Sequence, residues 1–275
     1  MANKDKRRQL VCGNGMIITF DGDDWTPEEL QKAAAKHSRA GQADAEWFVE
    51  VLELCPELAK VMTFAGIANG TCRFGLYHPL LHEPLGVRQY APTYLKQWYE
   101  EKRGLADKFI AEKKWAQYLF LIEKPYRAPA LAEIQDQMTD AEYWEHLSWV
   151  WTNSESNCMD KKVWKRLLSS PRPESHKMMT EDEQKFLASL PDRITVYRGF
   201  KARGRIGGRS MLSNRKGRSW TLSREKAEWF TNITFGIGLG EKKPHMVRSL
   251  SVNKSEVLAY LNDRDEQEIL LRKAA

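Results

Sequence analysis

The sequence predicts an α+β protein, with a helical N-terminal region followed by a region of mixed strands and helices. Apolar residues recur at helical spacing through much of the chain up to about residue 190, which is typical of amphipathic helices. From Pro191 onwards, short β-branched segments alternate with turns that are rich in glycine or charge, which is typical of strands. A length of 275 residues favours two domains.

The N-terminal region begins with a short hairpin and continues with helices. In VCGNGMIITF, Gly-Asn-Gly is the predicted turn of the hairpin. A first helix starts in TPEELQKAAAKHS, because Thr26 is a good N-cap and Pro27 suits the first helical position. A second helix is expected over about 42–60, where large apolar residues recur at helical spacing.

The next stretch predicts the division between the domains. Glycine and proline between 66 and 92 indicate a loop-rich connection, and helices resume over about 93–123. Two prolines in KPYRAPA, residues 124–130, indicate a boundary. We therefore expect a mainly helical accessory or target-recognition region at 1–130 and a second domain at 131–275.

The second domain starts with three helices and ends with strands. DAEYWEHLSWVW, MDKKVWKRLLSS and TEDEQKFLASL have helical apolar spacing, and Thr180 caps the third helix. RITVYRGF and RSWT predict strands, and SREKAEWFT predicts a helix with Ser223 as its N-cap. MVRSLSV, EVLAYL and EQEILL complete the strands, and NDRD joins the last two as a hairpin.

Composition favours a soluble protein of the cytoplasm. Hydrophobic residues make up 42% and charged residues 29% of the chain, and no apolar run approaches the roughly 18 residues of a membrane span. The basic N-terminus has no signal-like apolar stretch behind it. The few, widely spaced cysteines favour free thiols in a reducing compartment over disulfides or a zinc site: Cys12, Cys55, Cys72 and Cys158.

The positive charge is concentrated in the second domain. The net charge is +6, and residues 131–275 contain 25 Lys and Arg against 20 Asp and Glu. Seven cations and no acidic residue occupy residues 201–218. Such a segment is either a site for phosphate or an acidic partner, or a solvated basic loop.

Two glutamates precede the last apolar run, in RDEQEILL. If a strand starts at Glu266, then Glu266 and Glu268 share one face and lie ~7 Å apart, because side chains alternate along a strand. Each carboxylate then feels the charge of the other. The pair is either part of a reactive site or a solvated strand edge that discourages pairing.

Three short motifs resemble the arginine, serine, glutamate class of mono-ADP-ribosyltransferases, the cholera-toxin-like clade with phage-encoded and bacterial toxin enzymes. They are VYRG, GRSWTLSREKAEWF and AYLNDRDEQEILL, in the order and predicted structural context of that class. The resemblance covers about 190–272. It implies a split, mainly antiparallel β-sandwich with flanking helices, with NAD as the substrate and with no metal.

The resemblance also implies a role for each motif residue. Glu268 would stabilise the oxocarbenium-like charge that develops when nicotinamide leaves the ribose. Glu266 would orient or deprotonate the acceptor, and Arg198 would hold the diphosphate and ribose through its planar fork. Ser219 would hydrogen-bond and align Glu268, and Thr221 would support its strand and the following helix.

Three further residues complete the expected NAD site. Gly199 follows the motif arginine, and Trp220 separates the serine from the threonine, although its own side chain should point away and pack. Phe235, in a glycine-rich loop, is either a ring placed on nicotinamide or a core residue. His78 and His82 have a spacing suited to a metal, but neighbouring prolines and the lack of a third ligand argue against one.

The predicted activity is transfer of ADP-ribose from NAD to a macromolecular acceptor with release of nicotinamide. The expected acceptor is a protein side chain, with a nucleic-acid-associated protein or RNA as further options, in the cytoplasm of the cell or of the host of a phage. Two alternatives stay open. One is an NAD glycohydrolase, and the other is a non-enzymatic nucleic-acid-binding module that uses residues 201–218.

Overall fold

A computed structural model of the chain describes residues 7–11, 17–21, 41–68, 71–83, 86–154, 161–201, 205–206, 209–210, 217–233 and 245–275. The described residues up to Ala130 form one compact unit, the N-terminal unit. Those from Leu131 form a second, the C-terminal unit.

The N-terminal unit begins with an antiparallel hairpin and two helices: β1 Arg7–Val11, β2 Ile17–Asp21, α1 Gly41–Leu54 and α2 Pro56–Ala59. The predicted hairpin is confirmed, while the helix predicted at Thr26 lies outside the described residues. The helix predicted over 42–60 is divided at Cys55, because Pro56 cannot donate the hydrogen bond that a continuous helix requires.

A three-stranded antiparallel sheet follows: β3 Met62–Ala68, β4 Thr71–Tyr77 and β5 His82–Glu83. The loop-rich connection predicted for 66–92 was therefore wrong over its first part. Gly66 lies at a register shift in the pairing of β3 with β4, and a bulge is a common position for glycine within a strand. His78 and His82 consequently lie after β4 and in β5 rather than on a helix.

Helices complete the N-terminal unit and lead into the next: α3 Pro92–Ala111, α4 Trp115–Leu121 and α5 Arg127–Ile134. The first two confirm the helical stretch predicted over 93–123. Their apolar faces contribute to a core in which Phe48 of α1 stacks on Phe74 of β4, with ring centroids 5.7 Å apart. Leu95 of α3 is fully buried in the same unit.

The three helices predicted for the start of the second domain are confirmed: α6 Asp140–Asn153, α7 Lys161–Leu167 and α8 Glu181–Ser189. Thr180 caps α8 as expected and forms a reciprocal capping box with Glu183. Thr139 and Glu142 make the same arrangement at the start of α6.

The remaining elements are β6 Arg193–Lys201, β7 Arg205–Ile206, β8 Arg209–Ser210, β9 Ser219–Thr221, α9 Arg224–Ile233, β10 His245–Asn253, β11 Val257–Leu261 and β12 Glu268–Leu271. Five strands form one antiparallel sheet in the order β10-β6-β9-β12-β11. β7 and β8 pair with each other. The α+β class is confirmed, and the split sandwich of the transferase class stays a prediction.

One face of the five-stranded sheet packs the core of the C-terminal unit. Val196, Trp220 and Ile269 come from three neighbouring strands and are almost fully buried there. Because side chains alternate along a strand, their sequence neighbours face the other side of the sheet. The candidate site lies among these neighbours.

The last strand begins two residues later than predicted, at Glu268. Asp265 and Gln267 have φ values of 53° and 49°, in the left-handed region, which interrupts extended structure. Glu266 therefore belongs to the turn before β12. The prediction that Glu266 and Glu268 share a face of one strand was wrong for this reason.

Candidate active site

The three sequence motifs meet on neighbouring strands. β9 lies between β6 and β12, and Thr221 of β9 is opposite both Tyr197 and Glu268 in the register. Tyr197, Thr221 and Glu268 therefore lie side by side in one row, and Arg198 and Ser219 are within two residues of that row. Antiparallel pairing over a long stretch of sequence explains why the motifs lie so far apart in the chain.

A cavity of about 180 Å³ lies at this meeting point. All of the predicted site residues that the structure describes border it: Arg198, Gly199, Ser219, Trp220, Thr221, Glu266 and Glu268. Phe235 lies outside the described residues. The cavity is smaller than the ~300–1,000 Å³ of typical ligand pockets, and it has room for a group of about the size of one sugar.

Glu268 is the buried charge of the site, with 7% of its surface exposed. The Ser219 side chain lies close enough to this carboxylate to lower its pKa through a hydrogen bond. The Trp151 Nε1–H donates to both carboxylate oxygens at 3.2 Å. Burial raises the pKa of Glu268 above its usual range, and the hydrogen bonds from Ser219 and Trp151 oppose that rise.

Trp151 was not predicted as a site residue. It lies near the end of α6, in the helix that the apolar spacing of DAEYWEHLSWVW predicted. Its ring makes an edge-on contact with Trp164, with centroids 5.0 Å apart and planes at 89°, so its indole direction is fixed by packing. It is separated from Glu268 by 117 residues, and helical spacing alone does not reveal such a partner.

Glu266 is held by an ion pair in the turn before β12. Its Oε2 lies 2.9 Å from Nη2 of Arg264, and Nη1 of Arg264 donates to the Thr152 carbonyl at 3.2 Å. The turn is closed by the Asn262 side chain, which accepts a hydrogen bond from the Gln267 N–H at 3.0 Å. Consecutive residues of α6, Trp151 and Thr152, thus support both glutamates.

Arg198 is engaged by the protein itself. It borders the same cavity as Glu268 and is close enough to feel the charge of that carboxylate. The guanidinium donates a hydrogen bond to the Ser219 carbonyl and lies so close to Gly217 that a Cβ there would be 2.7 Å from its central carbon. Burial lowers the pKa of Arg198, and the charge of Glu268 opposes this change. The guanidinium remains cationic.

Gly199 and Thr221 attach the helix α9 to the sheet. A Cβ on Gly199 would lie 2.0 Å from the Ala227 carbonyl oxygen, so only glycine permits this approach of the helix. The Thr221 hydroxyl donates to the Glu266 carbonyl at 2.8 Å and accepts from the Ser223 N–H at 3.0 Å. Thr221 therefore supports both its strand and the following helix, as expected.

Ser223 also has its predicted position as the N-cap of α9. Its hydroxyl accepts a hydrogen bond from the Lys226 N–H at 3.1 Å, three residues into the helix. The cap fixes the start of α9 directly after β9. The geometry of the cavity wall thus follows from a local signal in the sequence.

Within the described ranges, no three His, Cys, Asp or Glu side chains cluster as metal ligands would. His78 accepts a hydrogen bond from the Leu80 N–H through Nδ1 at 3.1 Å and contacts the Tyr99 ring. None of the helices in the same ranges has the length and apolar character of a membrane span.

Comparisons of the chain with protein-family models, with curated proteins and with solved structures gave no match. The site is therefore interpreted from its own geometry and from the motifs that it assembles.

Proposed function

We propose that the protein is a mono-ADP-ribosyltransferase that moves ADP-ribose from NAD to a macromolecular acceptor and releases nicotinamide. One observation carries the proposal. A buried carboxylate, Glu268, receives hydrogen bonds from Ser219 and Trp151 and borders a sugar-sized cavity beside Arg198 and Glu266. Buried polar groups of this kind concentrate at reactive sites.

The chemistry needs a fixed negative charge at the ribose. When the bond between nicotinamide and C1′ breaks, its electron pair leaves with nicotinamide and positive charge develops on the sugar. Glu268 stabilises that charge, and its effect is stronger because the site excludes water. Ser219 and Trp151 orient the carboxylate and favour its ionised form against the effect of burial, since they donate to that form.

Glu266 has a different role in the proposal. The acceptor nucleophile forms a new bond to C1′ and loses a proton, and Glu266 receives that proton. The ion pair with Arg264 holds the carboxylate at the cavity until the acceptor arrives. A protein side chain is the proposed acceptor, and an arginine-type group would bind Glu266 in place of Arg264.

Arg198 contributes positive charge next to the cavity. Its guanidinium is fixed between the Ser219 carbonyl and Gly217, so little conformational entropy is lost when an anionic diphosphate approaches. The same hydrogen bond joins Arg198 to the strand that carries Ser219. NAD binding and the alignment of Glu268 are thereby connected.

The decisive experiment incubates the protein with NAD labelled in its adenosine part and with a bacterial lysate. We expect label in a macromolecular fraction and release of nicotinamide, with both lost in Glu268→Gln. Release of nicotinamide without any labelled macromolecule would instead identify an NAD glycohydrolase. Absence of both would contradict the proposal.

A further inference from the structure

The C-terminal unit contains a second cavity, of about 660 Å³, which is separate from the residues around Glu268. It is formed by α7, by the segment that follows it and by the turn after α5. Four cationic side chains and one carboxylate line it: Lys162, Lys165, Arg166, Arg172 and Asp136. We call it the basic cavity.

The cations of α7 share one side of the helix. Lys162, Lys165, Arg166 and Ser169 follow one another at three- and four-residue spacing, which places them on one face, while Trp164 and Leu167 on the opposite face are buried. Hydrogen bonds from the Leu168 and Ser169 N–H groups back into α7 continue its turn to Ser169. Packing of the apolar face thus turns this basic face outwards.

The cations of this face and Arg172 have different surroundings. Arg172 forms an ion pair with Asp140 at 3.1 Å and donates to the Gln135 carbonyl at 2.9 Å, so it belongs to the wall of the cavity. Within the described ranges, the three cations of α7 have no carboxylate within the 4 Å of an ion pair. Their exposed charge is therefore not neutralised by a described carboxylate.

The lining also indicates the chemistry of a ligand. Besides the charged groups it contains only Gln135, Ser169, Ser170 and Pro171 among the described residues. Lysine, arginine and serine are the side chains that contact phosphate oxygens in nucleic-acid complexes. Because no aromatic ring lines the described part of the cavity, the bases contribute no stacking there.

We propose that the basic cavity binds the phosphate backbone of a nucleic acid. From Lys162 to Ser169 the basic face extends about 10 Å at 1.5 Å per residue, which corresponds to roughly three nucleotides at 3.4 Å each. Binding is independent of base sequence, because phosphates alone are contacted. The inference does not depend on the proposed transferase activity.

Ser169 connects the basic face of α7 with β9, the strand that carries Ser219 of the Glu268 cavity. Its Oγ accepts a hydrogen bond from Nη2 of Arg218 at 2.6 Å, and Arg218 also donates to the Leu168 carbonyl at 3.0 Å. Arg218 directly precedes Ser219. The positive surface therefore continues from α7 to the start of β9.

The test measures the fluorescence anisotropy of a labelled oligouridine with the full chain at several salt concentrations. The variant Lys162→Gln, Lys165→Gln, Arg166→Gln removes the basic face. We expect its affinity to fall by about tenfold or more near 0.1 M salt. The slope of log affinity against log salt should become less steep by about 2, because each phosphate contact to a single strand contributes about 0.7.

The matched control also removes two lysines and one arginine, but on α3. It is the variant Lys96→Gln, Arg103→Gln, Lys108→Gln. We expect it to bind oligouridine like the unchanged protein. Thermal unfolding followed by circular dichroism checks that both variants fold. Nicotinamide release from NAD should stay unchanged in both, because none of these six residues borders the Glu268 cavity.

Three results would overturn the inference. The first is unchanged oligouridine binding in the α7 variant. The second is an equal loss of binding in the α3 control, which would assign the binding to net charge. The third is tighter binding of a polyglutamate peptide than of oligouridine through the same three cations, which would identify an acidic protein as the partner. Weaker competition by polyglutamate than by unlabelled oligouridine supports the nucleic acid.

Discussion

Glu268 and Glu266 lie two residues apart and border one cavity, but they differ in backbone position, burial and hydrogen-bond partners. Glu268 starts a strand, is buried, and receives hydrogen bonds from neutral donors on β9 and α6. Glu266 lies in a turn, and its partner is the charged side chain of Arg264, which is half exposed. Glu268 belongs to the folded strand, whereas the side chain of Glu266 is 17% exposed and is held by an ion pair to a half-exposed arginine.

This difference separates two functions within one short sequence. A charge that stabilises a transition state is most effective when its position is fixed and water is excluded. A group that accepts a proton from an incoming macromolecule must instead exchange its partner for the acceptor, and an exposed ion pair costs only about 0–1 kcal/mol to break. Burial suits Glu268 for the first task, and an ion pair with the half-exposed Arg264 suits Glu266 for the second.

The largest expected effect tests the buried side of this comparison. In Glu268→Gln the amide keeps the shape but not the charge, so nicotinamide release and label transfer should both fall by about 100-fold or more. Assays with purified protein and NAD measure both products. Glu145→Gln, an exposed change on α6, is the control and should keep full activity. A residual rate above about a tenth of the rate of the unchanged protein would remove Glu268 from this role, because tenfold in rate is only ~1.4 kcal/mol of activation free energy.

The next effect should appear in only one of the two products. In Glu266→Gln the acceptor loses its proton acceptor, so label transfer should fall by about 10- to 100-fold. Nicotinamide release should continue at a low rate, because water is small and needs less positioning than a macromolecular acceptor. Both products are measured on one preparation.

Two outcomes would break the comparison between the glutamates. Equal loss of transfer and release would show that the two carboxylates act as one unit. Full retention of both would make Glu266 a surface residue of the turn. The variant Asp263→Asn, an exposed change in the same turn, supplies the control and should retain transfer.

A smaller effect is expected at Arg198, which joins the strand of Ser219 to the cavity. Arg198→Lys keeps the charge but loses the planar fork, and NAD affinity should fall by about tenfold, since bonds to charged groups are worth ~1.5–3 kcal/mol. Isothermal calorimetry measures the affinity. Arg193→Lys, an exposed change on the same strand, should bind NAD normally. Unchanged affinity in Arg198→Lys would assign Arg198 to the fold alone.

The sequence predicted the strand and helix order of the C-terminal unit well, because its local signals agree with its packing. Alternation in RITVYRGF and the caps Thr180 and Ser223 were enough to place β6, α8 and α9. The sheet of the N-terminal unit was missed because glycine in β3 and β4 resembles a loop signal, whereas Gly66 lies at a bulge. Propensity describes single residues, but a bulge is a property of the pair of strands.

The sequence predicted the strand residues of the candidate site, but it did not predict the turn and the helix residue that hold its two glutamates. Glu268 and Ser219 belong to local motifs, so sequence spacing reveals them. Left-handed backbone at Asp265 and Gln267 was not foreseen, and it moves Glu266 from the strand into the turn. Trp151 comes from a helix more than a hundred residues away, and only the folded chain brings it to the carboxylate.

The smallest expected effect concerns Trp151 and the pH dependence of Glu268. Burial raises the pKa of Glu268, and the indole N–H opposes that rise because it donates to the ionised form. In Trp151→Phe the ring stays and the donor is lost, so the pKa should rise further and a smaller fraction of the carboxylate should be ionised at low pH. The acid limb of nicotinamide release should move up by roughly one pH unit, since such a bond is worth ~1.5 kcal/mol. At high pH, where Glu268 is ionised in both proteins, the rates should converge.

The matched variant Trp164→Phe distinguishes the hydrogen bond from the packing of the rings. It changes the ring that contacts Trp151 at 5.0 Å but keeps the indole N–H at Glu268. Rates measured from about pH 5 to 9 should therefore show an unmoved acid limb in Trp164→Phe. An equal displacement in both variants would mean that Trp151 acts only through packing. A uniform loss at all pH values in Trp151→Phe would mean that it positions Glu268 without affecting its ionisation. An upward movement in Trp151→Phe alone would establish that a helix residue controls the charge of the strand glutamate.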